Sequence, residues 1–202
     1  MPQNSYNGGS RLLQDRFDTR RLADRMQHRL AFSDDDRAFI EKSSFFFLAT
    51  VDADGSPDCS YKGGMPGFVR VVEQDTLAFP NYDGNGQYRS LGNVQMNDQV
   101  AMLFIDFENP GRRRVNGTAS LHFDDPLLAE YPGAQLIVRV KATEIFNNCP
   151  RYVHKMKVIE QSPFVPACDY EVPIPDWKRN PEYQAALPAN DPARHLPPLG
   201  QN

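Results

Sequence analysis

Phe45-Phe46-Phe47-Leu48-Ala49-Thr50-Val51, closed by Asp52-Ala53-Asp54-Gly55-Ser56-Pro57, sets the fold class of this chain. The run is short and aromatic, and it stops at a cluster of turn formers, the pattern of a strand entering a tight turn. Outward from it, similar short apolar runs predict strands at 58–61, 68–72, 76–79, 100–107, 113–121 and 136–146. Turns fall at 73–75 and 108–112. Helix is predicted between these strands only at about 88–96, with a short helix or turn at 125–131. Many short strands with tight connections favour an antiparallel barrel over a doubly wound parallel sheet. The expected class is therefore mainly β, a β-barrel with a few α-helices.

The flanks read differently. Residues 1–18 are polar and expected to be mobile. Leu22, Met26 and Leu30 recur at helical spacing and predict a helix over 19–30. A second helix should start at Ser33, an N-cap, with Asp34, Asp35 and Asp36 favourable in its first turn. That acidic run reads as a solvated helix start in preference to a metal site. Segment 150–160 could be helical, with Pro150 at its first position. From 162 onward prolines recur, predicting an extended extension that wraps the domain or a partner, with Trp177 and Tyr183 as anchors. The expected organisation is thus 1–18 flexible, 19–161 barrel domain with its N-terminal helices, and 162–202 Pro-rich extension.

Composition narrows the function. The 202 residues carry 22 Lys and Arg against 26 Asp and Glu, a formal net charge of -4, which disfavours nucleic acid or an acidic membrane as partner. No apolar run approaches the roughly 18 residues needed to span a bilayer. Cys59, Cys149 and Cys168 are odd in number and widely spaced, so the expectation is a reducing cytoplasm without disulfides or zinc. The four histidines lack metal-ligand spacing, and His154 beside Arg151 is the one worth testing as a site residue.

Two polar, glycine-rich interruptions of the strands carry the chemistry: Cys59-Ser60-Tyr61-Lys62-Gly63-Gly64-Met65-Pro66-Gly67-Phe68-Val69 and Phe79-Pro80-Asn81-Tyr82-Asp83-Gly84-Asn85-Gly86-Gln87-Tyr88-Arg89-Ser90. A phosphate wants cations, hydroxyl and amide donors, and backbone N–H groups near a helix start. Lys62 and Arg89 supply charge, Ser60 a hydroxyl and Asn85 an amide, while Gly84-Asn85-Gly86 is permissive backbone ahead of the predicted helix. Ser60 and Lys62 alternate on one strand face, so both can enter one cavity. Phe68, Val69, Phe79 and Pro80 could wall a planar ring, with Asn81 as a side-chain donor. Cys59 reads as a half-buried strand cysteine. In Arg112-Arg113-Arg114, alternation predicts one inward arginine flanked by solvated ones.

The order of motifs from Phe45 to Val153 resembles the pyridoxamine 5'-phosphate oxidase-related family of FMN-binding split barrels. It rests on the opening strand and Asp54-Gly55-Ser56-Pro57, on Ser60-x-Lys62-Gly63-Gly64-x-Pro66-Gly67-Phe68-Val69, and on Phe79-Pro80-x-x-x-Gly84-Asn85. It continues through Arg89-Ser90-Leu91-x-Asn93, Val100–Phe104, Arg114-Val115-Asn116-Gly117 and Asn148-Cys149-Pro150-Arg151-Tyr152. The resemblance implies a homodimer with FMN at the subunit interface. It also implies Ser60, Lys62, Asn85 and Arg89 at the phosphate and ribityl chain, Phe68, Val69 and Asn81 near the isoalloxazine, and Arg114 and Arg151 approaching from either protomer. The implied activity is flavin-dependent oxidoreduction of a small molecule, with catalytic side chains and substrate undefined. No counterpart of the C-terminal substrate-binding region of true pyridoxamine phosphate oxidases is visible. A non-enzymatic flavin-binding or sensor protein, or the same fold holding a deazaflavin coenzyme or haem, are the alternatives.

Overall fold

The computed structural model describes residues 6–199, which form two compact units, one up to Val158 and one from Ile159 onward. The first is built on seven strands: β1 (Phe45–Val51), β2 (Pro57–Gly63), β3 (Arg70–Val71), β4 (Thr76–Tyr82), β5 (Gln99–Asp106), β6 (Gly111–His122) and β7 (Ala134–Asn147). They form one antiparallel sheet in the order β2-β1-β5-β6-β7-β4-β3. In that order β1 and β4 lie far apart, yet the rings of Phe46 and Phe79 meet edge-on at 4.9 Å between centroids. The sheet must therefore curl until its two halves face each other across a shared core. Phe46 also touches Phe68 and Phe104, and Leu48, Met102, Val115, Ile137 and Ile145 are buried around them. The chain is a mainly β barrel, as the strand pattern predicts, and of the split-barrel type that the resemblance implies.

Helices enter where apolar faces close the ends. After α1 (Gly8–Arg16) and α2 (Arg20–Ala23), α3 (Asp34–Glu41) buries Phe39 and Ile40, and α4 (Arg89–Met96) buries Leu91 and Val94. Ser33 caps α3 with its hydroxyl on the Asp36 amide, while the Asp36 side chain accepts from the Ser33 amide, a reciprocal capping box. Asp36 departs from the solvated helix start expected of it. Its carboxylate is 1% exposed and binds Arg29 at 2.7 Å and Arg113 at 3.1 Å. Burial would push this carboxyl up; the Ser33 hydrogen bonds and the Arg29 charge outweigh that and hold it below its ordinary value.

The N-terminal region also differs from the sequence expectation. Within 1–18, residues 1–5 lie outside the described residues, but Gly8–Arg16 is a helix, α1, started by the Asn7 side chain accepting from the Ser10 amide. The helix predicted over 19–30 shrinks to α2 (Arg20–Ala23), and Leu22, Met26 and Leu30 stay exposed. The competing force is strand pairing: Arg29 exchanges both backbone hydrogen bonds with Ile145 of β7, which pulls residues near 29 into extended form. His28 adds a side-chain clasp, its Nδ1 lying 2.5 Å from Glu144 and its ring stacked on Phe146. The strand expected at 68–72 is reduced to β3, because Phe68 closes a turn onto the Met65 carbonyl. No helix forms over 150–160; Pro150 starts a single turn to Val153, and no regular secondary structure follows up to 160.

In the second unit, a 3-10 turn at Asp176–Arg179, helix α5 (Pro181–Gln184) and a 3-10 turn at Pro192–His195 pack around Leu187 and Ala193. Lys178 and Asp191 form an ion pair at 2.7 Å with both side chains 8% exposed, and Gln184 donates to the carbonyls of Ala193 and Leu196. Trp177 and Tyr183 meet edge-on at 6.1 Å.

Candidate functional site

The two glycine-rich segments converge. On β2, Asp58, Ser60 and Lys62 turn half-buried to one side, while Cys59 and Tyr61 are exposed on the other. Cys59 is thus an exposed thiol, not the half-buried one expected from its strand position. Asp58, Ser60 and Lys62 share a cleft of about 390 Å³ with the end of β4, loop 84–88 and the first turn of α4. Ser60, Lys62, Asn81, Asn85 and Arg89 all line it.

The two sides are joined by hydroxyls. Ser90 Oγ donates to Ser60 Oγ at 2.9 Å and lies 3.4 Å from Asp58 Oδ2. Arg89 Nε stands 3.9 Å from Asp58 Oδ1, with its side chain 71% exposed. Burial pushes the Lys62 ammonium below its ordinary value, and the nearby Asp58 charge offsets part of that. The half-buried Tyr82 phenol is pushed up to about 12 by burial, so it stays neutral and able to donate.

α4 begins without a cap. Tyr88 precedes it at φ 48, ψ 28, a left-handed backbone uncommon for a bulky residue, and offers no side-chain cap. Its carbonyl accepts from Gly92 at 2.7 Å, but the amides of Arg89, Ser90 and Leu91 have no protein acceptor among the described residues. Such amides, with the positive end of the helix dipole, make an anion site. The Tyr88 hydroxyl holds the turn by donating to Gln135 Oε1 at 3.1 Å.

Asn81 differs in polarity from the expected donor. Its Nδ2 donates to Gln135 Oε1 at 2.9 Å and to the Tyr82 carbonyl at 3.2 Å, leaving Oδ1 to accept from a ligand. Asn85 is the reverse: Oδ1 accepts from the Gln87 amide at 3.1 Å, leaving its nitrogen to donate.

The remaining expected residues lie elsewhere. Phe68 and Val69 are buried in the core, not along the cleft. A Cβ on Gly64 would be driven into the Phe68 ring, so that glycine makes room for core packing and not for a ligand. Arg114 lies over the Phe146 ring, 5.1 Å from its centroid, and Arg151 is exposed in a turn; neither lines the cleft. The inward member of the arginine run is Arg113, engaged with Asp35, Asp36 and Phe39. His154 is exposed outside the cleft. Sequence reasoning missed Asp58, Gln87, Tyr88 and Ser90. Asp58 had a signal, since it extends the Ser60/Lys62 alternation; Tyr88 had none, because nothing local announces its left-handed backbone.

The model of the Pyridoxamine 5'-phosphate oxidase family matches residues 32–163, which contain the whole barrel and the cleft. The chain belongs to this family. No curated protein matches its sequence. Among solved structures, it is similar to a candidate pyridoxamine 5'-phosphate oxidase of Lactobacillus delbrueckii, with 25% identity over 58% of this chain and 95% of that one and a TM-score of 0.47. An FMN-binding protein of Syntrophomonas wolfei shows 13% identity over 70% and 95% of the two chains, with a TM-score of 0.43. The haem storage protein HutZ of Vibrio cholerae shows 19% identity over 59% and 95%, with a TM-score of 0.42. The family's split-barrel fold is the one observed here. No helix among the described residues is long and apolar enough to cross a membrane.

Proposed function

We propose that this family member is an FMN-dependent oxidoreductase acting on a small molecule, with the phosphate held in the cleft between β2 and α4. The observation that carries the reading is the meeting of Lys62 with the uncapped start of α4 in one cleft. Lys62 and Arg89 would supply charge, the amides of Arg89, Ser90 and Leu91 would donate along the helix axis, and Ser60 and Asn85 would add neutral donors. The cleft volume lies in the range of cofactor sites. A bound flavin would supply hydride or electron transfer at its ring, and the chain supplies placement and electrostatics. Asn81 Oδ1 is suited to accept from an N–H on a ring edge.

The reading includes a homodimer. Phe45 stacks on Tyr61 at 5.5 Å and on Phe107 at 6.0 Å, and Tyr61 meets Phe47 edge-on at 6.0 Å, on the face of β2, β1 and β5 away from the core. Across three strands, Phe47 pairs with Leu103 and Leu103 with Arg114, so these side chains share that face. An apolar sheet face of this kind fits a second copy of the chain, which would carry Arg114 towards the partner's cleft. A cytoplasmic setting is the companion expectation.

The test is titration of ligand-free protein with FMN, riboflavin, a deazaflavin coenzyme and haem, followed by absorption and flavin fluorescence. Lys62→Ala with Arg89→Ala should weaken FMN binding by roughly 100-fold or more, since each charge-assisted contact is worth about 1.5–3 kcal/mol. Unchanged FMN affinity in the folded double variant would refute this placement. Turnover of the reduced flavin with a nicotinamide donor and an acceptor would separate an enzyme from a carrier.

A further inference from the structure

Among the described residues lining the cleft, Asp58 is the only carboxylate, and it stands against the groups an anion would seek. Its oxygens lie 3.4 Å from the Ser90 hydroxyl in the first turn of α4 and 3.9 Å from Arg89 Nε, and its charge acts on Lys62 four residues along the strand. A phosphate drawn to Lys62, Arg89 and the free amides of α4 therefore meets a negative charge already in place.

We propose that Asp58 is a specificity-determining residue that competes with a ligand's phosphate for the cleft cations, so that the protein exchanges its phosphorylated ligand instead of retaining it. The inference rests on reading the cleft as a phosphate site. Asp58 serves as counter-ion to Arg89, whose exposed side chain would exchange the carboxylate for the phosphate when a ligand binds. In the complex the carboxylate and the phosphate repel, and on departure Arg89 and Lys62 regain a partner without waiting for solvent ions. The competitor thus lowers affinity mainly by speeding release. A ligand without the phosphate does not feel it.

The experiment measures Kd and dissociation rate for FMN and riboflavin in the wild type and in Asp58→Asn, with Asp54→Asn in the exposed β1–β2 turn as a remote charge control. Like unit charges a few ångströms apart at a partly solvated site interact enough to change Kd by about tenfold. Asp58→Asn should bind FMN about tenfold more tightly through slower dissociation and leave riboflavin within about twofold; Asp54→Asn should change neither. FMN binding that is unchanged or weaker in a folded Asp58→Asn variant overturns the inference. Asp58→Ser repeats the measurement if the Asn variant melts early. Wild-type protein that binds FMN no more tightly than riboflavin overturns the phosphate placement itself, and the Asp58 role with it.

Discussion

Lys62→Gln separates what the lysine costs the empty protein from what it gives the ligand. The ammonium is partly stripped of water by burial, which depresses its pKa, and Asp58 offsets only part of that. Replacing it with a neutral amide should leave the ligand-free protein as stable as before, or more stable by up to about 1 kcal/mol. For a domain of this size such a gain raises Tm by about 2–4 °C. FMN binding should move the opposite way, losing about 1.5–3 kcal/mol, or roughly 10- to 150-fold in Kd. The pH dependence gives an independent sign. Because the folded-state value lies below the ordinary 10.5, the unfolded chain binds the extra proton between the two values, so wild-type stability rises with pH through that window. Lys62→Gln should lack that rise. Thermal melts at pH 7 and near pH 10, together with fluorescence titration of FMN, provide the readout. A variant that keeps FMN affinity while its ligand-free Tm falls by several degrees would show that Lys62 is a structural residue.

Two further predictions concern the frame that holds the cleft. Asp36→Asn should destabilise the barrel unit by about 2–4 kcal/mol, since it leaves Arg29 and Arg113 facing a neutral group at a buried position; denaturant unfolding measures it. As the wild-type carboxyl lies below 3.8 when folded, its contribution is present above that pH and fades as pH falls through the lowered value, so the variant should show a shallower acid limb. Gly117→Ala should cost about 3 kcal/mol or prevent folding, because its Cβ would enter the Lys141 carbonyl of the paired strand beside the β6–β7 register shift; an unperturbed melt would refute that contact.

The legible parts of the fold were those where local pattern and tertiary demand coincide. Phe45–Val51 is read from the sequence with its observed bounds, because alternate residues of an aromatic run face the core and the turn signal follows at once. Over 19–30 the helical spacing was real but had no core to cover, and pairing of Arg29 with Ile145 prevailed. Within the cleft, charged and amide residues were legible as types, since Lys62, Arg89, Ser60 and Asn85 come from the two quoted segments. What these segments do not reveal is direction. Gly64 sits in a segment that carries the chemistry of the cleft and yet seats Phe68, and Asn81 looked like a donor until Gln135, far along the chain, took its hydrogens. Asp58 escaped notice because a carboxylate argues against an anion site when its surroundings are unknown.

The left-handed Tyr88 places two unlike demands on one codon. Its backbone asks for glycine or asparagine, which adopt that conformation with less strain, while its ring asks for a long arm with a hydroxyl to reach Gln135. Variants chosen for heat resistance would drift towards the first demand, and variants chosen for a well-formed entrance to α4 would keep the second. The mouth of the cleft is thus a place where robustness and readiness are bred apart.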